Sequence, residues 1–182
     1  MMPPYDSERG TKEALRRFLA LERKINIIKN SKLKDGYHSS MQKHIANGML
    51  EEFGSFDDLK EDFYDSIFDP NKKEEFLALA PTNLVIQPSN QNHKIRTTVD
   101  YSNLNGLFSR GKNMLPPIHE KVAELRSGRY LLALDISRQY FQVYTKSPNA
   151  QCVPYRKCPQ DPIMVYRHRG LVMGVIFSSK QA

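Results

Sequence analysis

The residues most able to do chemistry lie in one stretch, Arg129 to Val143, RYLLALDISRQYFQV. Asp135 closes the apolar run Tyr130, Leu131, Leu132, Ala133, Leu134, and the aromatics Tyr140 and Phe141 follow five residues later. The run predicts a strand buried on both faces. A carboxylate at the end of such a strand is costly to bury without a partner, and a cation is the usual one. The arrangement suits a metal held at the floor of a cleft, with an aromatic plate beside it. The plainer reading is an Asp that ends the strand and caps a short helix. This segment alone favours the plainer reading; the flanking segments change that.

The chain that must position these groups has 182 residues, 40% of them hydrophobic, enough for a sizeable core. Its formal charge of +7 makes a polyanionic partner plausible without demanding one. The charge is uneven. Residues 51–75 hold ten Asp and Glu against three Lys and Arg, an acidic insert between two basic parts. That insert reads as a solvated surface segment, with the basic C-terminal part facing nucleic acid if anything does. Cys152 and Cys158 make neither a disulfide framework nor a zinc site, and free thiols are expected. The N-terminus lacks the apolar core of a signal peptide and no apolar run is long enough to span a bilayer. An intracellular, cytoplasmic protein with no membrane partner is expected.

In chain order, Thr11 to Asn30 predicts an amphipathic helix with Ala14, Leu15, Phe18, Leu21, Ile25 and Ile28 on one face. Asp35-Gly36 is expected to break it, and Ser39 or Ser40 to cap a second helix bearing Met41, Ile45 and Met49. The acidic stretch after Gly54 predicts a third helix, with Leu59, Phe63 and Ile67 inward, ending before Pro70. Residues 83–87 and 95–100 predict a hairpin joined by a polar loop. Ser102 to Asn113 reads as loop, and Pro116-Pro117 start a short helix with Ile118, Val122 and Leu125, stopped at Gly128. After the organising strand come strands at 151–156 and 163–168 and a tight turn at Arg169-Gly170.

The order of a helix pair, KIRTTVDYSNLN, YLLALDISRQYFQV and YRHRGLVMGVIFSS resembles the fingers and upper palm of a reverse transcriptase. More narrowly, ALRRFLALERKINIIKNSKL and MQKHIANGMLEEF resemble the helical lead-in of the Pao/BEL group of LTR retrotransposons. The resemblance covers almost the whole chain. It implies an α+β fold, with residues 1–76 a helical lead-in carrying the acidic insert and residues 77–182 a truncated fingers and palm. The fold would hold a fingers β-hairpin and a partial antiparallel palm sheet backed by helices.

The resemblance also implies roles. Asp135 matches the first metal-binding Asp of the palm, and the Ile136 carbonyl would add a ligand for Mg2+ or Mn2+ in a complete palm. Tyr140 matches the aromatic under the incoming sugar, where a rigid ring excludes a ribose hydroxyl; a core aromatic is the rival reading. Phe141 is read as core. Arg96 falls at the position that clamps the incoming triphosphate, against the plainer reading of a solvated strand arginine, and Lys94 is a weaker candidate for the same anion. Asp100, Leu104 and Asn105 match the fingers motif as turn and packing residues. Gly174 matches the glycine where backbone lies close to nucleotide and template. The implied partners of the full-length parent are an RNA or DNA template with primer and a deoxynucleoside triphosphate, inside a retroelement particle.

Two departures qualify this. Ser178-Ser179 stand where the family has a small residue followed by Pro, and the catalytic Asp-Asp hairpin of the palm is absent. The adjacent pair Asp57-Asp58 lies upstream of Asp135 and reads as helix N-terminal charge. The expectation is a fragment of an RNA-directed DNA polymerase, inactive alone. The alternatives are a non-catalytic nucleic-acid-binding remnant of a retroelement, and a remnant without a biochemical role.

Overall fold

The computed structural model describes residues 5–27, 31–87, 94–107, 117–130, 132, 134, 136 and 139–175. Helix α1 spans Ser7–Ile27 and α2 spans Ser31–Ala46, followed by strand β1, Leu50–Ser55, and helix α3, Phe56–Tyr64. Strands β2, Thr82–Gln87, and β3, Lys94–Val99, come next, then helix α4, Ile118–Ser127. Two short 3-10 turns, Gln139–Gln142 and Pro148–Gln151, precede strands β4, Cys152–Tyr155, and β5, Met164–His168. The result is a mixed α+β fold with two small antiparallel sheets among the described residues. No helix among them is long and apolar enough to cross a membrane.

Helix α1 forms where the apolar spacing predicts it. Ala14, Phe18 and Ile25 are buried on one stripe while Arg16, Arg23 and Lys24 stay in solvent. The stripe packs against α3, β2 and β4. Arg156 ties the chain after β4 back to α1 through a two-pronged bridge to Glu22, with Nε–Oε1 at 2.9 Å and Nη2–Oε2 at 2.7 Å.

Helix α2 departs from expectation. It runs straight through Asp35-Gly36, and Ser39 and Ser40 lie inside it. The reason is packing. A Cβ on Gly36 would sit 2.3 Å from Ile95 Cδ1, so the glycine lets β3 lie directly on the helix. Glycine weakens an isolated helix by about 1 kcal/mol, and the close approach offsets that here. Tyr37 and Met41 follow on the buried face.

Strand β1 was not foreseen. LEEFGS lacks clean alternation, and a bulge between Glu52 and Gly54 shifts its register against β5. The three-stranded sheet has the order β1-β5-β4, so β5 is central. Because β1 and β5 pair, segments on either side of residue 76 share one sheet. Residues 78–80 add a short parallel contact on the other side of β4, with Ala80 N–H donating to Cys152 O at 2.8 Å. Helix α3 begins with Asp57 and Asp58 in its first turn, where carboxylates suit the helix dipole. It stops at Tyr64, before Pro70 as expected but short of Ile67. Phe63 is buried, whereas Ile67, expected inward, is exposed.

The hairpin β2–β3 forms as expected, in register from Thr82↔Val99 to Gln87↔Lys94. It rests on α1 and α2. The organising strand does not form at the described positions. Tyr130, Leu132, Leu134 and Ile136 are 87%, 80%, 82% and 62% exposed, and none lies in a strand. The preceding α4 has the expected start and stop but buries none of its residues. An apolar run becomes a buried strand only when other strands pair along it and layers cover it. Among the described residues no strand pairs with this run.

Candidate functional site

The hairpin delivers the first candidate. Arg96 lies in β3 opposite Val85, and its side chain is exposed. Lys94 opens the same strand opposite Gln87; its side chain lies outside the described residues. The base of β3 then turns into Asp100, whose carboxylate accepts hydrogen bonds from the Ser102 hydroxyl and backbone N–H and from Arg17 at 2.8 Å. The Ser102 bonds, helped by Arg17, hold that carboxyl below its usual range. Asp100 is thus a fastener between α1 and the turn. Leu104 is buried in the core beneath it.

Gly174 meets this turn. Its φ of +99° is a conformation that glycine adopts freely. Its carbonyl accepts a hydrogen bond from Asn105 Nδ2 at 2.8 Å, and a Cβ there would lie 3.8 Å from the Val99 carbonyl. The glycine therefore sits against the base of the strand that carries Arg96. Asn105, expected as a turn and packing residue, joins Gly174 to the turn through its side chain.

Tyr140 lies half-buried in the 3-10 turn Gln139–Gln142. Its neighbour Phe141 packs on the core cluster that contains Tyr101, Leu104, Val172 and Val175, as its reading as a core residue requires. Through Phe141, Tyr140 is anchored to the same core that flanks Gly174. Gly170 makes this possible: a Cβ on it would lie 2.6 Å from the Phe141 carbonyl oxygen. Residue 170 is not the tight turn expected of Arg169-Gly170 but a bridge partner of Tyr144.

Asp135 lies outside the described residues. Ile136 beside it is exposed and outside any strand. Among the described residues no group of three His, Cys, Asp or Glu side chains converges on a point where an ion could sit. The structure thus brings Asn105 and Gly174 together beside Val99 at the end of β3, three residues on from Arg96, and leaves the metal site undescribed. An open groove of about 1030 Å3 lies elsewhere, between the first half of α1 and the turn at 103–107. Its lining alternates Arg9, Lys12 and Arg16 with Asp6, Glu8 and Glu13, a mixed-charge surface with no preference for one ligand sign.

Two features escaped the sequence reading. His168 is 3% exposed on β5, and neither ring nitrogen has a hydrogen-bond partner among the described residues. Its ring lies 6.0 Å from that of Phe141, which in turn lies 6.1 Å from His44. Burial, with a further push from His44, lowers its pKa to about 3. β5 buries the adjacent Val165 and Tyr166 as well as His168, so alternation along the strand gave no signal for the histidine. The second is the stacking of Arg169 over Tyr144 at 5.4 Å. It joins residues distant in sequence, so no local pattern announces it. A comparison with protein-family models finds no match for this chain, and a comparison with curated proteins finds none either.

Proposed function

We propose that this chain is the fingers and part of the palm of an RNA-directed DNA polymerase of the Pao/BEL retrotransposon kind, and that by itself it binds nucleic acid without extending a primer. One observation carries the reading: the exposed Arg96 stands on β3, and the positive-φ Gly174, held by Asn105 of the turn that follows, lies beside Val99 at the end of that strand. That geometry suits a guanidinium that clamps a triphosphate near a stretch of open backbone. In the full-length parent, Asp135 with the Ile136 carbonyl would help hold Mg2+ or Mn2+, which neutralise and align the phosphates. Two ions need more than the one carboxylate the resemblance assigns, and Asp57-Asp58 are exposed on α3, committed to its first turn. The partners of this chain would be template and primer, held by its basic surface.

The second reading, a non-catalytic nucleic-acid-binding remnant, draws on the exposure of Leu132, Leu134 and Ile136, where a polymerase palm would be covered. Fluorescence anisotropy with a labelled primer–template tests the shared part. Affinity should fall linearly with log salt concentration, Arg96→Ala should weaken it, and Asp135→Asn should leave it largely intact. No binding at low salt would sink both readings. Supplying the remainder of a palm in trans separates them: primer extension that Asp135→Asn abolishes supports the polymerase.

A further inference from the structure

Tyr144 is 71% exposed, an unusual place for an aromatic ring held on rigid backbone. Its residue bridges Gly170 in antiparallel fashion, Leu171 N–H donates to Val143 O at 2.9 Å, and Thr145 N–H donates to Arg169 O at 3.1 Å. Arg169 is fixed from the other side, its N–H donating to Met49 O at 3.2 Å. The two residues extend the end of the three-stranded sheet. The absence of a side chain at Gly170 lets the 141–145 segment come that close.

On this frame the Arg169 guanidinium lies over one face of the Tyr144 ring, and the ring's exposure leaves the other face to water. Both side chains are exposed, and Lys146 is exposed two residues on. Among the described residues no carboxylate bridges to Arg169 or Lys146. The other arginines over rings among the described residues differ. Arg167, over Phe53, also bridges to Glu51. Arg129 and Tyr130 are chain neighbours in a stretch with no strand partner among the described residues.

We propose that Tyr144 and Arg169 form a platform on which one unpaired base of a single-stranded nucleic acid stacks, with Lys146 meeting an adjoining phosphate. The inference rests on the reading that the chain binds nucleic acid, and it adds where and in what form. An aromatic face accepts any base, and an arginine plane beside it extends the surface and supplies charge. A base within a duplex has both faces taken by its neighbours, so the platform selects single strands. The fixed backbone means that little order is lost when the base arrives.

The test uses the full chain and a 2-aminopurine-labelled single-stranded oligonucleotide, with a duplex of the same sequence as control. Stacking should quench the probe on binding. Tyr144→Ala should weaken single-strand affinity about tenfold and remove the quenching, while Tyr144→Phe restores both. Arg169→Ala should weaken binding as well, and duplex affinity should barely change in any variant. If Tyr144→Ala binds and quenches like the parent, the platform is wrong, though nucleic-acid binding stands. If the parent binds neither single strand nor primer–template, the platform and the proposed function fail together.

Discussion

Acidification should destabilise this fold through His168, and the size of the effect follows from its burial. The imidazole has no hydrogen-bond partner among the described residues and is nearly inaccessible; burial, with a push from His44, lowers its folded pKa from 6.5 to about 3. The unfolded chain therefore binds the proton first. Stability is fully present above pH ~6.5 and is lost progressively as pH falls toward ~3. At pH 5 the loss works out to about 2 kcal/mol, from the ratio of the two proton-binding polynomials. With a urea slope of about 2 kcal/mol/M, the unfolding midpoint should fall by about 1 M between pH 7.5 and pH 5. His38, also lowered by its partial burial, acts in the same direction, so the parent's slope alone is not diagnostic. His168→Leu isolates the group. It removes the titration and breaks no hydrogen bond, so at pH 7.5 it should lie within about 1 kcal/mol of the parent. Urea titrations at both pH values compare the two proteins. A variant that loses as much midpoint as the parent would refute the assignment of the acid sensitivity to His168.

Gly36→Ala should lower the melting temperature, although alanine is favoured by about 1 kcal/mol in a free helix. The new Cβ would meet Ile95 Cδ1 at 2.3 Å, and a raised melting temperature would show that β3 gives way freely. Glu22→Gln should cost about 2 kcal/mol in urea unfolding, less than a fully buried pair because solvent reaches both partners. The Glu22 and Arg156 side chains are 12% and 16% exposed, so the loss should change little between low and moderate salt; a strong salt dependence would contradict that burial.

Much of the chain's local structure was legible in advance because the signals are local. The apolar stripe of α1, the polar loop between β2 and β3, and the proline start and glycine stop of α4 each act within a few residues. The misreadings share one cause. Gly36 reads as a helix breaker until β3 is laid against it, and LEEFGS reads as no strand until β5 pairs with it. Tyr130 to Leu134 reads as a buried strand because its composition is that of one, yet Tyr130, Leu132 and Leu134 are exposed, because burial needs partners that composition does not contain.

The same division runs through the candidate site. The resemblance, more than residue type, set out what each group is expected to do: Asp135 as an oxygen ligand, Arg96 as a fork for phosphate, Tyr140 as a rigid ring, Gly174 as open backbone. Only tertiary structure decided which neighbours the described ones meet. Asn105 links Gly174 to the turn after β3, Gly170 admits Phe141 beside it, and Arg169 finds Tyr144 across a bridge. Such contacts join segments far apart in sequence. Their geometry depends on how helices and sheet pack around a shared core, which no short window of sequence encodes.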